Sequence, residues 1–387
     1  MESSDTIIST KGSNAFKKQA FKDQITGLLF TFPALLIILI FGIFPIGYSI
    51  YMSLFNWQVT KGPFIRDKNY LLIFGSWTNF LIILAGIALF VLGFYVWRRA
   101  FQTLSNGQRW AHIAGALILI LGGVIFVTGW GLMYETGNKD FLNSLIVTAY
   151  YALGTVPAEI IIGLVLAYIL YQDIIGKQAF RIIYFLPYIT PSISTAVVFQ
   201  IIFSSRETSV ANRLIGLFGM DPLKWRFEPK PVLNLLGLDV SGLAGGPSLA
   251  LLTIIIFGIW SFVGYNTVIF LSGLGNIPKE IYEAAEIDGG SKWDRFWHIT
   301  IPMISPVTFY LSLIGFIGTF KAFNHLYVMR TPSAQNTVIT TSLLVFDRFY
   351  KANQYGVATA QAIVLFLVIL GLTLAQNKLM GERVFYG

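Results

Sequence analysis

The 387-residue chain contains no cysteine, only three histidines and few charged residues, and these shortages exclude several classes of function. Without cysteine the chain forms no disulfide, has no thiol nucleophile and offers no thiolate to a metal, although its redox compartment stays undetermined. Charged residues make up 12% of the chain and hydrophobic residues 55%, and the mean hydropathy is +0.68. These proportions are too apolar for a soluble fold and indicate an integral membrane protein.

Long apolar runs are what the sequence has in abundance. A membrane-spanning helix needs about 20 consecutive, mostly apolar residues. Eight segments have this character: 25–54, 71–97, 111–133, 141–171, 182–203, 249–274, 303–323 and 356–378. A membrane barrel would show alternation of apolar and polar residues instead, so the runs predict an all-α protein with about eight transmembrane helices. Pro187 and Pro191 predict a kink in the run 182–203.

Basic residues beside the first apolar run predict the orientation of the chain. These residues are Lys11, Lys17, Lys18 and Lys22. Under the positive-inside rule they favour a cytoplasmic N-terminal tail (1–24), and eight spans return the C-terminal tail (381–387) to the cytoplasm. The charge bias is shallow, because two proline-containing loops expected outside, 204–248 and 327–355, are also basic. The net charge of +8 suits anionic lipid headgroups beside membrane spans and does not indicate nucleic acid.

A polar segment, 275–302, separates two of the apolar runs and is the most informative part of the sequence. Pro278 suits the first turn of a helix, and Glu280 follows where the helix dipole favours an acid. An apolar stripe, expected to face membrane protein, comprises Ile277, Ile281, Ala284 and Ile287. An acidic stripe, expected to face a partner, comprises Glu280, Glu283 and Glu286. Asp288-Gly289-Gly290 predicts the helix end, because glycine reaches the left-handed conformation at little steric cost.

A second short helix is expected after the bend. Ser291 and Asp294, three residues apart, are typical of a capping box at a helix start. Pro302 then ends this helix or hands it over to the next span. On periodicity alone, the segment could also be an ordinary amphipathic loop between membrane helices.

The residues of this segment match a known motif. Glu283-Ala284-Ala285, two residues, Asp288-Gly289 and a later Pro302 resemble the cytoplasmic coupling loop of permease subunits of binding-protein-dependent ABC importers. Within these, the chain resembles the sugar permeases of the maltose and glycerol-phosphate type. Gly290 and Ile301 replace the family's usual Ala and Leu.

The resemblance covers most of the chain and implies a domain organisation. It places the first core helix at 25–54 and the rest of a six-helix permease core at 141–380, with an external loop at 204–248 and the coupling loop at 275–302. Where the family has a short external link, 55–140 holds two further apolar runs. We therefore expect an inserted transmembrane hairpin there, with lipid contact or subunit packing as its default role.

The resemblance also implies partners and a location. An ATP-binding subunit dimer would dock on the coupling loop, a second homologous permease would complete the pathway, and an extracytoplasmic sugar-binding protein would deliver a sugar or related carbohydrate. The sequence has no phosphate-binding loop, so the chain is expected to be neither an enzyme nor the holder of a cofactor, and ATP and Mg²⁺ belong to the partner ATPase. No metal site is apparent. The implied location is a bacterial or archaeal plasma (inner) membrane.

The sequence leaves two rival functions open. An ATP-independent secondary transporter or channel would use the polar segment as an ordinary loop. A membrane-embedded enzyme is the other rival, but the sequence lacks the His-Glu-x-x-His and Gly-x-Ser-x-Gly motifs. Dependence of ATP hydrolysis on the coupling loop would separate the permease from both.

Five polar residues are candidates for the transport pathway. Glu159 lies within an apolar run, where a charge is costly, so it should face protein or a water-filled path, a packing carboxyl being the alternative. Tyr265 resembles a substrate-lining tyrosine of sugar permeases, but an ordinary packing tyrosine fits as well. Lys321 can snorkel to the interface. Gln200 and Asn324 complete the set.

Overall fold

The structure is a computed structural model that describes residues 3–100, 108–172, 174–240 and 242–381. The side chains of Lys11, Lys17 and Lys18 and the last six residues of the predicted C-terminal tail lie outside the described part. The helices are α1 (Ser3–Ile38), α2 (Phe44–Ser53), α3 (Lys68–Phe74), α4 (Trp77–Ala100), α5 (Gln108–Thr136), α6 (Lys139–Tyr171), α7 (Lys177–Ile189), α8 (Ser192–Ile202), α9 (Val210–Gly216), α10 (Val232–Leu235), α11 (Leu249–Gly275), α12 (Lys279–Ile287), α13 (Lys292–Arg295), α14 (Ile301–Met303), α15 (Ser305–Phe320), α16 (Asn324–Met329), α17 (Gln335–Val338), α18 (Thr341–Phe346) and α19 (Tyr355–Met380).

Shorter elements join these helices. The π-helical turns are Leu39–Ile43, Phe296–Thr300 and Asp347–Lys351, and the 3-10 turns are Trp225–Phe227, Gly242–Gly245 and Pro332–Ala334. Strands β1 (Phe55–Trp57) and β2 (Lys61–Phe64) pair antiparallel, with Phe55 opposite Phe64. This small hairpin follows the first span directly and was not predicted from the sequence.

Among the described residues, six helices are long and apolar enough to cross a membrane, and eight crossings result if two bent pairs each count as one. The six are Phe21–Ser53, Trp77–Arg99, Trp110–Thr136, Lys139–Tyr171, Leu249–Gly275 and Tyr355–Met380. The predicted all-α membrane fold with about eight transmembrane helices is thereby confirmed.

The two bent pairs are where the structure departs from simple apolar runs. The kink predicted in 182–203 is confirmed and is a full break, because α7 and α8 meet at 97° across Pro191. The run 303–323 is bent as well: Lys292–Met303 and Ser305–Phe320 meet at 59°. α15 therefore has only 16 residues, about 24 Å of helix, before the chain turns at Lys321. The bend before Ser305 was not predicted.

The first span stands largely apart from the rest of the chain. α1 begins at Ser3, so the described part of the predicted tail continues into the span as one helix. The π-helical turn Leu39–Ile43 comes just before Pro45, whose missing N–H removes one bond of the helical ladder. None of the span's most apolar stretch is buried, and only its end, α2, packs against α19.

The core forms around α6 and α11, which pack along their lengths. α7, α8, α15, α16 and α18 pack against this pair. Fully buried side chains at its centre include Tyr151 and Phe257. α4 and α5 pair mainly with each other, beside this core.

The two loops expected outside lie together at one end of the core. Thr331 donates a hydrogen bond to the carbonyl oxygen of Arg226 at 2.9 Å, and Ser333 donates to that of Phe227 at 3.2 Å. Both segments lie near Leu249, where α11 begins. The polar segment 275–302 starts where α11 ends, about 40 Å away along a helix of 27 residues.

Candidate functional site

A cavity of about 350 Å³ lies beside the middle of α11, between the two ends of the core. Its walls come from α6, the break between α7 and α8, α11, α15 and the turn into α16. The polar and aromatic residues that line it include Tyr151, Glu159, Tyr188, Thr190, Ser192, Ser261, Tyr265, Asn266, Thr319, Asn324 and His325. Interrupted helices with free backbone groups are tolerated at membrane depth where they line such a cavity.

One face of α6 carries the polar side chains of the core. Ser144, Thr148, Tyr151, Thr155 and Glu159 follow one another at three- and four-residue spacing, and all are buried. The Tyr151 hydroxyl and His325 Nε2 are hydrogen-bonded at 2.7 Å, although the two residues are 174 positions apart. The His325 ring also stacks on Phe257, with 5.1 Å between ring centroids. This contact fixes the start of α16 against α6 and α11.

Glu159 is held in the cavity wall with little access to solvent. Its side chain is 3% exposed, and that of Asn266, on the facing helix α11, is 4% exposed. Glu159 Oε2 and Asn266 Nδ2 have no hydrogen-bond partner among the described residues. Gly315 makes room for the carboxyl group, because a Cβ at this position would lie 3.3 Å from Glu159 Oε1 and 3.0 Å from Val156 Cγ1. Glu159 and Asn266 therefore place a carboxyl group and an amide side by side in the cavity wall.

Aromatic rings cover the side of the cavity next to the break between α7 and α8. Tyr188 stacks on Tyr265 with 4.8 Å between ring centroids, and its edge meets the ring of Phe262 at 5.9 Å. Pro187 and Thr190, on either side of Tyr188, also line the cavity. The break thus places an aromatic surface opposite the polar face of α6.

The structure brings together three of the five predicted pathway residues. Glu159, Tyr265 and Asn324 line the same cavity. Gln200 does not line it, and donates instead to the carbonyl oxygen of Val328 at 2.5 Å, holding α8 against α16. Lys321 does not line it either, and its side chain is exposed at the end of α15.

The polar segment folds into the two short helices predicted for it. α12 starts after Pro278 and ends at Asp288, where Gly289 adopts a φ of 81° and Gly290 donates to the Ala285 carbonyl oxygen at 2.8 Å. The capping box of α13 is present: Asp294 N–H donates to Ser291 Oγ at 3.2 Å, and Ser291 N–H donates to Asp294 Oδ2 at 3.0 Å. These predictions are confirmed.

Pro302 hands the second short helix over to the next span, one of the two outcomes that the sequence left open. α13 continues through the π-helical turn Phe296–Thr300 into α14, where Pro302 lies in the first turn. The bend of the backbone follows, between Met303 and Ser305.

The predicted apolar stripe of α12 is wrong beyond its first residue. Ile277 is 5% exposed, but Ile281 is 37% and Ile287 is 87% exposed, and Ala284 is also exposed. The face that packs inward is instead that of Tyr282, whose hydroxyl is hydrogen-bonded to Thr300 Oγ1 at 2.9 Å. A tyrosine anchored by a hydrogen bond can replace an apolar contact at a polar boundary. The outer face of α12 is therefore both apolar and acidic.

The predicted acidic stripe is divided by an ion pair. Glu286 accepts a hydrogen bond from Arg295 at 2.9 Å, which ties α12 to α13 across the Gly289 bend. Glu280 and Glu283 are exposed on α12. Trp293 and Trp297, 71% and 57% exposed, extend the outer surface beyond the bend.

Several residues of the cavity and of the segment 275–302 were not predicted from the sequence. Tyr151 and His325 are far apart in the chain, and only the helical spacing of the polar residues on α6 could have identified Tyr151. Ile287, Trp293 and Trp297 were missed because periodicity does not show which side of a short helix faces the protein. Trp293 and Trp297, four residues apart, are a usable signal for one exposed aromatic face.

Comparisons with known proteins give the following likenesses. Residues 159–385 match the family described as the binding-protein-dependent transport system inner membrane component. The arabinooligosaccharides transport system permease protein AraP of Bacillus subtilis (strain 168) is 32% identical over 265 residues, which is 68% of this chain and 79% of AraP. The trehalose/maltose transport system permease protein MalF of Thermococcus litoralis is 30% identical over 240 residues, 62% of this chain and 75% of MalF.

A solved structure is similar in fold. It is that of a bacterial alginate ABC transporter in complex with an alginate pentasaccharide-bound periplasmic protein. The TM-score is 0.52 at 19% sequence identity, and the match covers 73% of this chain and 96% of the other.

Proposed function

Because the chain belongs to the family of binding-protein-dependent transport system inner membrane components, we propose that its central cavity passes a sugar or oligosaccharide, driven by ATPase subunits that dock on residues 275–302. The chain is a permease subunit of an ABC importer, and ATP hydrolysis is carried out by separate subunits. One observation carries the proposal: α11 lines the cavity at its middle and leads directly into α12 at its end.

The cavity supports a carbohydrate as the substrate class. Glu159 and Asn266 place a carboxyl group and an amide in its wall, and both groups can form hydrogen bonds with hydroxyl groups of a ligand. The stacked rings of Tyr188 and Tyr265 offer flat apolar faces with hydroxyl tips nearby. The relatives named above are transport proteins for arabinooligosaccharides and for trehalose and maltose. Asn324 lies at the same wall, where it adds a polar contact.

The loop 275–302 supports docking of an ATPase. Its motif comprises Glu283, Ala284, Ala285, Asp288, Gly289 and Pro302. The outer face of α12 is exposed and the Glu286–Arg295 pair makes the two short helices one unit, so a partner that grips α12 also moves α13. Shifting a two-state transporter from 1:99 to 99:1 requires about 5.5 kcal/mol of differential contact energy, which the docked ATPase would supply.

The other partners and the orientation follow from the same layout. The loops around Arg226 and Thr331 form one surface at the far end of α11, where an extracytoplasmic binding protein would dock. The span Phe21–Ser53 has an unburied apolar surface, which suits a second permease subunit as well as lipid. Arg98, Arg99 and Lys378 at the ends of α4 and α19 favour placing the end that carries α12 in the cytoplasm, with both chain termini.

The domain organisation is also proposed in this frame. The alginate transporter chain is matched over 96% of its length by only 73% of this chain, so about a quarter of this chain has no counterpart there. The helices α4 and α5 lie beside the core and pair mainly with each other, which supports their assignment as an inserted hairpin within 55–140.

The test is ATP hydrolysis by the reconstituted complex with its ATPase, second permease and binding protein. Glu283→Arg and Gly289→Val should each abolish sugar-stimulated hydrolysis while the subunits remain folded, because the first reverses the charge of the docking face and the second strains the left-handed bend. Asp23→Arg, a matched charge reversal at an exposed position of α1 outside both proposed docking surfaces, should leave hydrolysis unchanged. If Glu283→Arg and Gly289→Val behave like Asp23→Arg, the coupling assignment fails.

A further inference from the structure

The helices α4 and α5 form a closely packed pair. Glycines recur every seven residues on both helices, at Gly86 and Gly93 and at Gly115, Gly122 and Gly129. A Cβ at Gly86 would lie 2.6 Å from Phe126 N, and one at Gly122 would lie 2.7 Å from Phe90 N. The backbones touch where glycine stands, which is the usual way for membrane helices to pack closely.

This hairpin contacts the core near the end that carries the loop 204–248. There a buried apolar cluster joins α3, α4 and α5 to the core helix α6 and includes Met133 and Phe141. At the same level Asn79 Nδ2, on α4, donates to Thr136 Oγ1 of α5 at 2.9 Å and to the Phe74 carbonyl oxygen of α3 at 3.2 Å. At the other end a crevice lies between the hairpin and the core.

This crevice is apolar, has a volume of about 570 Å³ and lies at the end of the bundle that carries α12. Phe94 of α4 forms one wall, and the others belong to α6, α15 and α19. The main lining residues are Ile161, Leu164, Thr308, Phe309 and Leu379. Ile161 is 62% exposed and Leu379 is 44% exposed, so the crevice is open to the bilayer along its length. An acyl chain has the shape and apolarity for such a space.

Positive charge borders the crevice at its end. Arg98 and Arg99 lie one helical turn beyond Phe94, and Lys378 directly precedes Leu379. The Arg99 guanidinium stacks over the Tyr95 ring at 4.9 Å, which holds it beside α4. The sequence of α4 and of α19 contains no Asp or Glu, so neither helix supplies a carboxylate to Arg99 or Lys378. Basic groups between transmembrane helices at the cytoplasmic side are typical binding sites for anionic lipid headgroups.

We infer that this crevice binds one anionic phospholipid, with an acyl chain between Phe94 and Ile161 and the phosphate beside Arg99 and Lys378. The lipid would fill the space between the hairpin and the core and so fix the position of the hairpin relative to α15. This site is separate from the transport cavity, and its occupation does not depend on which substrate the cavity passes.

Lipid retention by the intact complex tests the site. The complex is placed in nanodiscs of equal parts phosphatidylglycerol and phosphatidylcholine, released into mild detergent, and analysed by native mass spectrometry for bound lipid. The wild-type complex should retain phosphatidylglycerol in preference to phosphatidylcholine. Ile161→Trp, which fills the crevice, should lower this retention at least fivefold.

A matched control is available on α5, which contributes no residue to the crevice lining. Leu117 is 61% exposed, against 62% for Ile161, and does not line the crevice. Leu117→Trp should therefore retain lipid as the wild type does. Comparable thermal unfolding of the Ile161 and Leu117 variants shows that a loss of lipid is not a loss of fold.

The charges are tested separately. Arg99→Gln and Lys378→Gln should each lower the preference for phosphatidylglycerol by about fivefold, the effect of about 1 kcal/mol per basic residue near a membrane surface. Arg213→Gln, Lys224→Gln and Lys230→Gln, at the other end of the bundle, should leave it unchanged.

Three results would overturn the inference. They are equal retention of the two lipids by the wild type, undiminished retention by Ile161→Trp, and loss of the second permease subunit from the Ile161→Trp complex. The last result would show that a helix of the partner occupies the crevice.

Discussion

Two helix pairs in this chain pack closely, and they bury different kinds of side chain. α4 and α5 meet through glycine, and every side chain of α4 from Leu81 to Phe94 is apolar or absent. α6 and α11 also meet at a glycine, since a Cβ at Gly163 would lie 2.9 Å from Asn266 Cβ, but they bury Thr155 and Glu159 besides. Of the most apolar stretch of each helix, 17% is buried in α4 and in α5, against 56% in α11.

The difference separates the packing of membrane helices from their function. Close contact between helices in lipid requires only small residues, because the contact gains dispersion and loses no water. A carboxyl group at membrane depth is expensive, and its presence indicates a use other than packing. The polar face of α6 therefore supports the proposed transport pathway, whereas α4 and α5 carry no carboxyl group at mid-depth.

The largest effect on transport is expected from Glu159→Leu, which removes the buried carboxyl group from the α6–α11 pair. Transport by the reconstituted complex should fall about 10- to 100-fold, because a hydrogen bond from substrate to a charged or polar carboxyl is worth about 1.5–3 kcal/mol. Uptake of labelled sugar into vesicles measures this. Phe90→Leu, at mid-depth in the hairpin, should change uptake less than about twofold. An equal loss of uptake in Glu159→Leu and Phe90→Leu would contradict the functional difference between the α6–α11 pair and the hairpin.

The elements that the sequence predicted correctly are those determined locally. The capping box at Ser291 and the bend at Gly289 depend on residues within a few positions of each other, and the apolar runs depend on composition alone. The prediction of which face of α12 is buried was wrong because that face is set by a tertiary contact, the hydrogen bond between Tyr282 and Thr300. Periodicity within the short helix does not show this contact.

The cavity could be predicted only in part for the same reason. Glu159 was identifiable because charge is rare in an apolar run. Tyr151 meets His325 across 174 positions, and this pairing depends on how α16 folds back after α15. Pro187 and Pro191 predicted a kink between α7 and α8. They did not predict its angle of 97° or the stacking of Tyr188 on Tyr265 beside it.

A smaller effect is expected from Gly122→Leu, which tests whether glycine is required for the close packing of α4 against α5. The added side chain would meet the backbone of α4, with its Cβ 2.7 Å from Phe90 N, so the helices must separate. Overpacking of this kind costs about 1–3 kcal/mol. Hydrogen exchange in α4 and α5, followed by mass spectrometry, should increase, while uptake should stay within about twofold of the wild type.

The neighbouring glycine provides the control for this variant. A Cβ at Gly123 would meet nothing within 4 Å, so Gly123→Leu should leave exchange in the hairpin unchanged or slightly reduced. If Gly122→Leu abolishes uptake while Gly123→Leu does not, the hairpin takes part in transport and the two pairs are not functionally distinct.

The smallest effect concerns how each pair is fastened at the end near Leu249. At that end the neutral amide of Asn79 joins α4 to α5, whereas in the loop 327–355, which packs on the core, Asp347 forms ion pairs with Arg330 at 2.7 Å and Lys351 at 3.0 Å. Burial alone would raise the pKa of Asp347, but hydrogen bonds and positive charge from Arg330 and Lys351 outweigh it and lower the pKa. The folded state therefore gains stability from the ionised carboxylate.

The sign of the pH dependence follows from that depressed pKa. The contribution of Asp347 is fully present above the ordinary carboxyl pKa of about 3.9 and is lost as the pH falls through the lower folded-state value. Asp347→Asn should remove about 1 kcal/mol of local stability at neutral pH, since the pair is partly exposed and screened. Hydrogen exchange in 324–354 should rise in this variant and rise less on acidification than in the wild type. Two controls accompany this variant. Asp221→Asn, an exposed change at the same end, should have neither effect.

Hydrogen exchange around Asn79 should be the same in Asp347→Asn as in the wild type, because an amide does not titrate in this range. If acidification to about pH 3 increases hydrogen exchange equally in 324–354 and around Asn79, ionisation of Asp347 does not explain the pH dependence of 324–354.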